Sequence, residues 1–264
     1  MIELVLQWIR NHSPAGVLNW HDGKIYPEVT GYLIPTLLKY GEQELAIQYA
    51  NYLIETQNED GSFYGIDGQK RTFDTSACYE GLLAIGEEAA AQKAKAWLQS
   101  QQLDDGSLRI IPGGDQSHVY TIRASGLIKS RKGKTFWSFD GGWDTRWGSK
   151  QRVHYVAYGL EGLEMLGVDI AEAMEASQSA IQNGLMPYWV KDGWKEPEGT
   201  DITATCQMAM LYARHDMKYM ASRMIEAVEG LIRNDGGVPQ TKSDMFAVSW
   251  AAKFYLDAKY ELAE

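Results

Sequence analysis

Two kinds of apolar spacing alternate along this chain. In the first, apolar residues fall all round a helical wheel, in "YPEVTGYLIPTLL", "TFDTSACYEGLLAI", "VYTIRASGLI", "VHYVAYGLEGLEML", "TDITATCQMAMLYA" and "FAVSWAAKFYLDA". Such segments predict helices buried on every side. In the second, apolar residues keep to one stripe and charges to the opposite face, in "GEQELAIQYANYLIETQ", "EEAAAQKAKAWLQSQQ", "DIAEAMEASQSAIQNG" and "DMKYMASRMIEAVEGLIRNDG". These predict helices with one face in solvent, and "MIELVLQWIRNH" supplies another ahead of the first buried segment. No alternating strand pattern has comparable strength. Asp-Gly pairs punctuate the series at Asp22-Gly23, Asp60-Gly61, Asp105-Gly106, Asp140-Gly141, Asp192-Gly193 and Asp235-Gly236. Gly accepts positive φ and Asp bonds its own backbone locally, so each pair predicts a tight turn.

Aligned on Thr30, Thr75, Thr121, Tyr155, Thr203 and Ser249, the buried segments recur at intervals of 45, 46, 34, 48 and 46 residues. Near-constant periods of this size signify repeated supersecondary units. Each unit is a buried helix, an amphipathic helix and a Gly-bearing turn. An open stack of such units needs polar end caps, yet "FAVSWAAKFYLDA" is as apolar as any internal unit. The expected fold is therefore all-α: an (α/α)6 toroid, or six-hairpin barrel, with residues 1–264 as one domain and the buried helices lining a central funnel.

Composition removes several function classes. The formal charge of −10 argues against a nucleic-acid or anionic-membrane partner, because phosphate surfaces recruit basic patches. No apolar run is long enough to span a bilayer, and the start lacks the basic region of a signal peptide. Two cysteines make no disulfide framework, so a cytoplasmic location is expected. Cys78 and Cys206 with His154 would make a zinc set, but Cys-x-x-Cys or close Cys-His spacing is missing, and buried thiols in apolar helices are the better account. No metal or other cofactor is expected. The 9 Trp and 15 Tyr against 6 Phe suit half-wet concave surfaces, since these rings join an apolar face to a polar tip.

The Gln…Asp-Gly-Ser phrase, as in "QNEDGSF" and "QQLDDGSL", resembles the repeat of prenyltransferase and squalene-cyclase toroids. The ordered series "YPEVTGYLIPTLL", "FDTSACYEGLLAI", "YTIRASGL", "VHYVAYGLEGLEMLG", "TATCQMAMLYAR" and "SWAAKFYLDA" is similar to the inner helices of a bacterial toroid family of polysaccharide gene clusters. That family is itself distantly like sugar epimerases and unsaturated glucuronyl hydrolases. "YPEVTGY" and "WAAKF" are its most specific pieces. The family more often has Asn at the position of Asp74 and no acid at that of Asp201. The resemblance implies glycan metabolism and assigns no catalytic residue. Class II terpene cyclases carry Asp-x-Asp-Asp; the nearest string here, "QQLDDG", lacks the first Asp and sits in a turn.

Candidate chemistry collects at the starts of the buried helices, where charge is unexpected unless paired or functional. Asp74, Asp201 and Glu28 are the candidate acids or bases, with His154 and Tyr158 as proton-transfer partners. Arg123 is a candidate fork for a substrate carboxylate. Tyr26, Tyr155 and Trp250, together with loop residues Trp143, Trp147 and Trp194, are candidate substrate contacts. Each has a plainer structural account. Asp74 and Asp201 sit where helix N-caps are preferred, Arg123 can neutralise Asp74 or Glu28, His154 can be a hydrogen-bonded core residue, and the loop tryptophans can plug a lid. The function expected is a carbohydrate-active enzyme of bacterial polysaccharide metabolism working by general acid–base chemistry on an acidic sugar or oligosaccharide, with hydrolase, lyase and epimerase undivided and the oligomeric state open. The alternatives are a non-catalytic glycan-binding or scaffold toroid and an isoprenoid enzyme.

Overall fold

Both expected helix classes form. The computed structural model describes residues 1–18, 23–104, 106–130, 150–191, 194–244 and 246–264. Its elements group into two compact units, Arg10–Phe136 and Met1–Ile9 with Trp137–Glu264.

The first unit holds α2 (Pro27–Lys39), α3 (Gln43–Thr56), α4 (Thr72–Ala84), α5 (Glu88–Ser100) and α6 (Thr121–Leu127). α2, α4 and α6 are the helices buried on every side. α3 buries one stripe, Leu45, Ala46, Tyr49, Ala50 and Leu53, and α5 buries Ala91, Ala94, Trp97 and Leu98. α2 and α4 touch backbone to backbone. A Cβ added at Gly31 would lie 2.7 Å from the Ala77 oxygen and the Cys78 Cα, and one at Gly81 would overlap the Gly31 oxygen. Pro35 inside α2 has no N–H, so the Gly31 carbonyl also lacks its usual helical donor. Only glycines permit this approach, and it draws the first turns of α2 and α4 together. α6 is only seven residues long, in keeping with the early break at "GLIKSRKGK".

The second unit holds the start of α1 (Ile2–His12), then α7 (Val153–Met165), α8 (Ala171–Ser177), α9 (Ile202–Arg214), α10 (Lys218–Glu229) and α11 (Ser249–Ala263). α9 is almost wholly buried and packs on α11, α10 and α7. A small antiparallel sheet, not expected from the sequence, joins β1 (Lys150–Arg152), β2 (Trp189–Lys191) and β3 (Lys195–Glu198), pairing Arg152 with Trp189 and Trp189 with Glu198. Strands of three or four residues, one reading Lys-Glu-Pro-Glu, carry too few positions for a period of two to register.

The Asp-Gly turns are hinge points between hairpins. Gly61 and Gly236 adopt φ of +90° and +92°, and Asp60 and Asp235 each accept a backbone N–H two residues on, at 3.1 and 3.0 Å. A side chain at Gly61 would overlap the Lys93 carbonyl of α5, and one at Gly236 the Leu4 carbonyl of α1. Each turn thus seats its glycine against the backbone of an amphipathic helix. Gly106 has the same φ, +88°. Asp22, Asp105, Asp140-Gly141 and Asp192-Gly193 lie outside the described residues.

Threonines register the buried helices on the preceding loops. Val17 N–H donates to Thr30 Oγ1 at 3.0 Å, Phe63 N–H to Thr75 Oγ1 at 3.1 Å, and Thr121 Oγ1 donates to the Leu108 carbonyl at 3.2 Å. In α9 this work falls to Thr205, which accepts from Met186 N–H at 2.9 Å. The repeat register in that helix is therefore two residues later than an alignment on Thr203.

Candidate functional site

Because α2 and α4 pack at glycine distance, Glu28 on the second residue of α2 and Asp74 on the third of α4 meet and share a side-chain hydrogen bond. The Tyr26 hydroxyl donates to Glu28 Oε2. Asp74 is 3% exposed, and its Oδ2 has no hydrogen-bonding partner among the described residues. Gly65 lies directly over that oxygen, where any Cβ would overlap it. Glu28 is only half-buried. Burial, then the Glu28 charge and its hydrogen bond, push the Asp74 carboxyl well above the usual range. Burial also raises Glu28, against the Tyr26 and Asp74 hydrogen bonds and the charges of Arg123 and Arg71. Two carboxyls so placed cannot both ionise and hold a proton jointly. Asp74 does not cap α4: the N-cap position is Arg71, whose side chain makes no cap hydrogen bond.

Beside this pair opens a groove of about 830 Å³, walled by Tyr26, Pro27, Tyr52, Tyr64, Ile66 and Asp67. Tyr64 and Ile66 are about half exposed. Asp67 pairs with Arg71 at 2.5 Å, and that hydrogen bond holds its carboxyl below the ordinary value. The groove therefore carries the Asp67 carboxylate, and it meets the carboxyl pair through Tyr26, which bonds Glu28, and Gly65, which lies over Asp74.

Arg123 does not offer an open fork. It is 1% exposed, and its Nη2 donates to both Glu80 oxygens at 2.9 and 2.8 Å. Its partner is Glu80, not Asp74 or Glu28, and it reaches Glu28 only through its field. A carboxylate-holding role for Arg123 is corrected accordingly. Glu80, an acid in the otherwise apolar "SACYEGLLAI", was the signal passed over.

Asp201, His154, Tyr155, Tyr158 and Trp250 belong to the second unit. Asp201 caps α9 as anticipated, its Oδ1 accepting from Ala204 N–H at 2.9 Å. It is fully buried, and burial, opposed by the Ala204 N–H and Arg152, moves its pKa up to about 6. Arg152, at the N-cap of α7, holds Nη2 3.7 Å from Asp201 Oδ2 and lies 4.4 Å over the Tyr188 ring and 5.3 Å over that of Tyr155. His154 Nδ1 is 2.5 Å from Gln207 Oε1. An amide oxygen only accepts, so Nδ1 carries the proton and Nε2 the lone pair. Burial, then the Arg152 charge, lowers its pKa to about 3, so the ring is neutral. Tyr158 packs 4.7 Å from it and 5.6 Å from Phe254, and Trp250 is half-buried. Trp194 is 1% exposed; enclosed rather than open, it is no stacking platform. Trp143 and Trp147 lie outside the described residues. Gln207 and Arg152 went unnoticed, though a Gln inside "TATCQMAMLYA" is as anomalous as Glu80. Both thiols are buried, and burial raises both. No helix among the described residues is long and apolar enough to cross a membrane.

Residues 24–139, less than half of the chain but inclusive of the Glu28–Asp74 pair, match the family model described as squalene-hopene cyclase C-terminal domain. No curated protein matches by sequence. Solved structures similar across the chain include a novel alpha-amylase from Clostridium perfringens (10% identity, TM-score 0.79, covering 100% of this chain and 98% of that one). The type II terpene cyclase MstE from Scytonema is also similar (12%, 0.70, 99% and 96%), as is a protein described as a glycosidase (13%, 0.72, 99% and 96%). These likenesses give the fold: all-α, an (α/α)6 toroid of helical hairpins, as the periodicity led us to expect. At such identities they show the fold alone.

Proposed function

We propose that this chain is a carbohydrate-active enzyme whose acid–base step runs on the Glu28–Asp74 pair, with the sugar held in the groove beside Tyr26. The observation that carries this reading is the hydrogen-bonded carboxyl pair, whose buried member is pushed well above the usual carboxylate range. Glu28, half-exposed, is the group that reaches substrate. Asp74, enclosed behind it, is a positioning residue that holds the reserve proton, and the Tyr26 hydroxyl orients the Glu28 carboxyl. Hydrogen-bonded carboxyls are too close to flank a glycosidic bond, which needs acid and base about 5–9.5 Å apart. The pair therefore counts as one acid, and the ionised Asp67 on the same groove supplies the second function; this favours hydrolysis over elimination or epimerisation. Neighbours described as an alpha-amylase and a glycosidase support a sugar substrate, and the tyrosine-rich wall suits sugar C–H faces. The place of the chain in bacterial polysaccharide metabolism, suggested by "YPEVTGY" and "WAAKF", belongs to the same proposal, as does a single domain spanning residues 1–264.

One observation favours a second reading. The cyclase family match spans this same pair, and protonation of an alkene also calls for a neutral buried acid. The test is release of reducing sugar from a panel of oligosaccharides, run beside geranylgeranyl-bearing substrates. The sugar reading expects turnover in wild type and its loss in Glu28→Gln. Turnover that survives in Glu28→Gln, or cyclised product alone, would sink it. Saturable glycan binding without turnover would make the chain a binder.

A further inference from the structure

The second unit contains a knot of polar atoms that nothing in the acid–base reading uses. Four side-chain atoms, Arg152 Nε, Asp201 Oδ2, Thr203 Oγ1 and Gln207 Nε2, are buried with no hydrogen-bonding partner among the described residues. Asp201 and Thr203 are fully buried, and Gln207 is 1% exposed. Leaving even one such group unmatched is costly, about 1–3 kcal/mol in general, so four in one place demand a reason. They share one location. Thr203 and Gln207 stand one turn apart on the same face of α9, Asp201 caps that helix, and Gln207 bonds His154 of α7 at 2.5 Å. Arg152 starts α7 and approaches Asp201 only to 3.7 Å, beyond a hydrogen bond. That gap leaves a donor and an acceptor facing each other unjoined. Tyr188, under the Arg152 guanidinium at 4.4 Å, also lines a neighbouring groove of about 690 Å³ with Thr200 and Thr241.

We infer that this knot is a second binding site, for a neutral polyhydroxylated ligand such as a sugar ring. Its inventory matches adjacent hydroxyls. Arg152 Nε–H and the Gln207 amide donate, Asp201 Oδ2 and the lone pair of His154 Nε2 accept, and Thr203 does either. Each hydroxyl of a vicinal diol both donates and accepts, so two of them pair with such a set. An anion would meet Asp201, and a cation would meet Arg152; a neutral polyol meets neither penalty.

Glucose and myo-inositol titrated onto the full chain provide the test, followed by the shift of the Gln207 side-chain amide in nitrogen-edited spectra. The site expects a saturable shift from at least one probe, weakened roughly fivefold by Thr203→Val, which removes one hydrogen bond, and similarly, as read from backbone amides of α9, by Gln207→Leu. Thr203→Val is isosteric and removes an unmatched hydroxyl, so its melting temperature holds or rises. Should either variant fold poorly, the other carries the measurement. Glu28→Gln must leave the shift untouched, which separates this site from the acid pair. No saturable shift up to the solubility limit of both probes, or shifts indifferent to both α9 substitutions, would overturn the inference.

Discussion

Asp74→Asn tests the proton held between α2 and α4. The substitution keeps the shape of the side chain and removes its titration. A carboxyl whose folded-state pKa exceeds its unfolded value of about 3.9 binds its proton more tightly in the folded protein. Wild-type stability therefore falls as pH rises from about 4 toward the folded-state value, because the slope follows the protons bound unfolded minus those bound folded. Burial, first among the causes, and the Glu28 charge raise Asp74 well above its ordinary value. Each pH unit over which the folded protein alone retains that proton is worth about 1.36 kcal/mol. At about 2–4 °C per kcal/mol for a chain of roughly this size, the Asn variant should gain about 3–5 °C in Tm on wild type for each such unit. The assay is paired thermal melts by circular dichroism at half-unit pH steps. His154 and Asp201 titrate in both proteins and cancel in the difference. Glu28→Gln, which removes the neighbouring charge but leaves Asp74 buried, should keep part of the wild-type slope. A wild-type-minus-variant difference that is flat across the window would refute the shared-proton argument and the acid–base reading built on it.

Glu80→Ala strips buried Arg123 of its carboxylate; breaking such a pair costs about 3–5 kcal/mol, and with Glu80 one-fifth exposed (20%) the lower end is expected in urea unfolding. Glu80→Gln, which can still accept a hydrogen bond, should cost less. Gly61→Ala and Gly236→Ala should each lose about 1–3 kcal/mol from backbone conformation alone and more from overlap with the carbonyl behind them. Gly68→Ala, at φ +72° with nothing within 4 Å, should lose only about 1–2 kcal/mol; equal costs would show that the turns are not seated as described. His154, lowered to about 3 by burial, should show no imidazole titration by NMR between pH 5 and pH 8. A group with a depressed folded-state value loses its favourable term as pH drops below the unfolded value of about 6.5, so Phe in its place, His154→Phe, should flatten the acid side of the stability curve.

The helices were legible because their two burial patterns differ in kind: α4 and α9 exclude water on every side, whereas α3 and α10 show it one face. Finer register was less so. Thr203 and Thr205 both offer a hydroxyl at the start of α9, and only the donor, Met186 N–H, distinguishes them. The same two-residue ambiguity made Asp74 and Asp201 look alike, although one lies inside its helix and the other caps it. Pairings between helices, such as Glu80 with Arg123 or Gln207 with His154, depend on which faces meet, and no single helix encodes that. Trp194 misled because its polar neighbours, "VKDGWKEPEG", read as a wet loop, whereas the small sheet around it folds the indole inward.

The opening stretch of α1 sits with the unit completed by α11, and the turn glycine Gly236 rests on its Leu4 carbonyl. Leu4 must therefore wait for Gly236 to be translated, on the order of tens of seconds at usual elongation rates. Until then Val5, Leu6 and Ile9 are exposed apolar surface on a nascent chain.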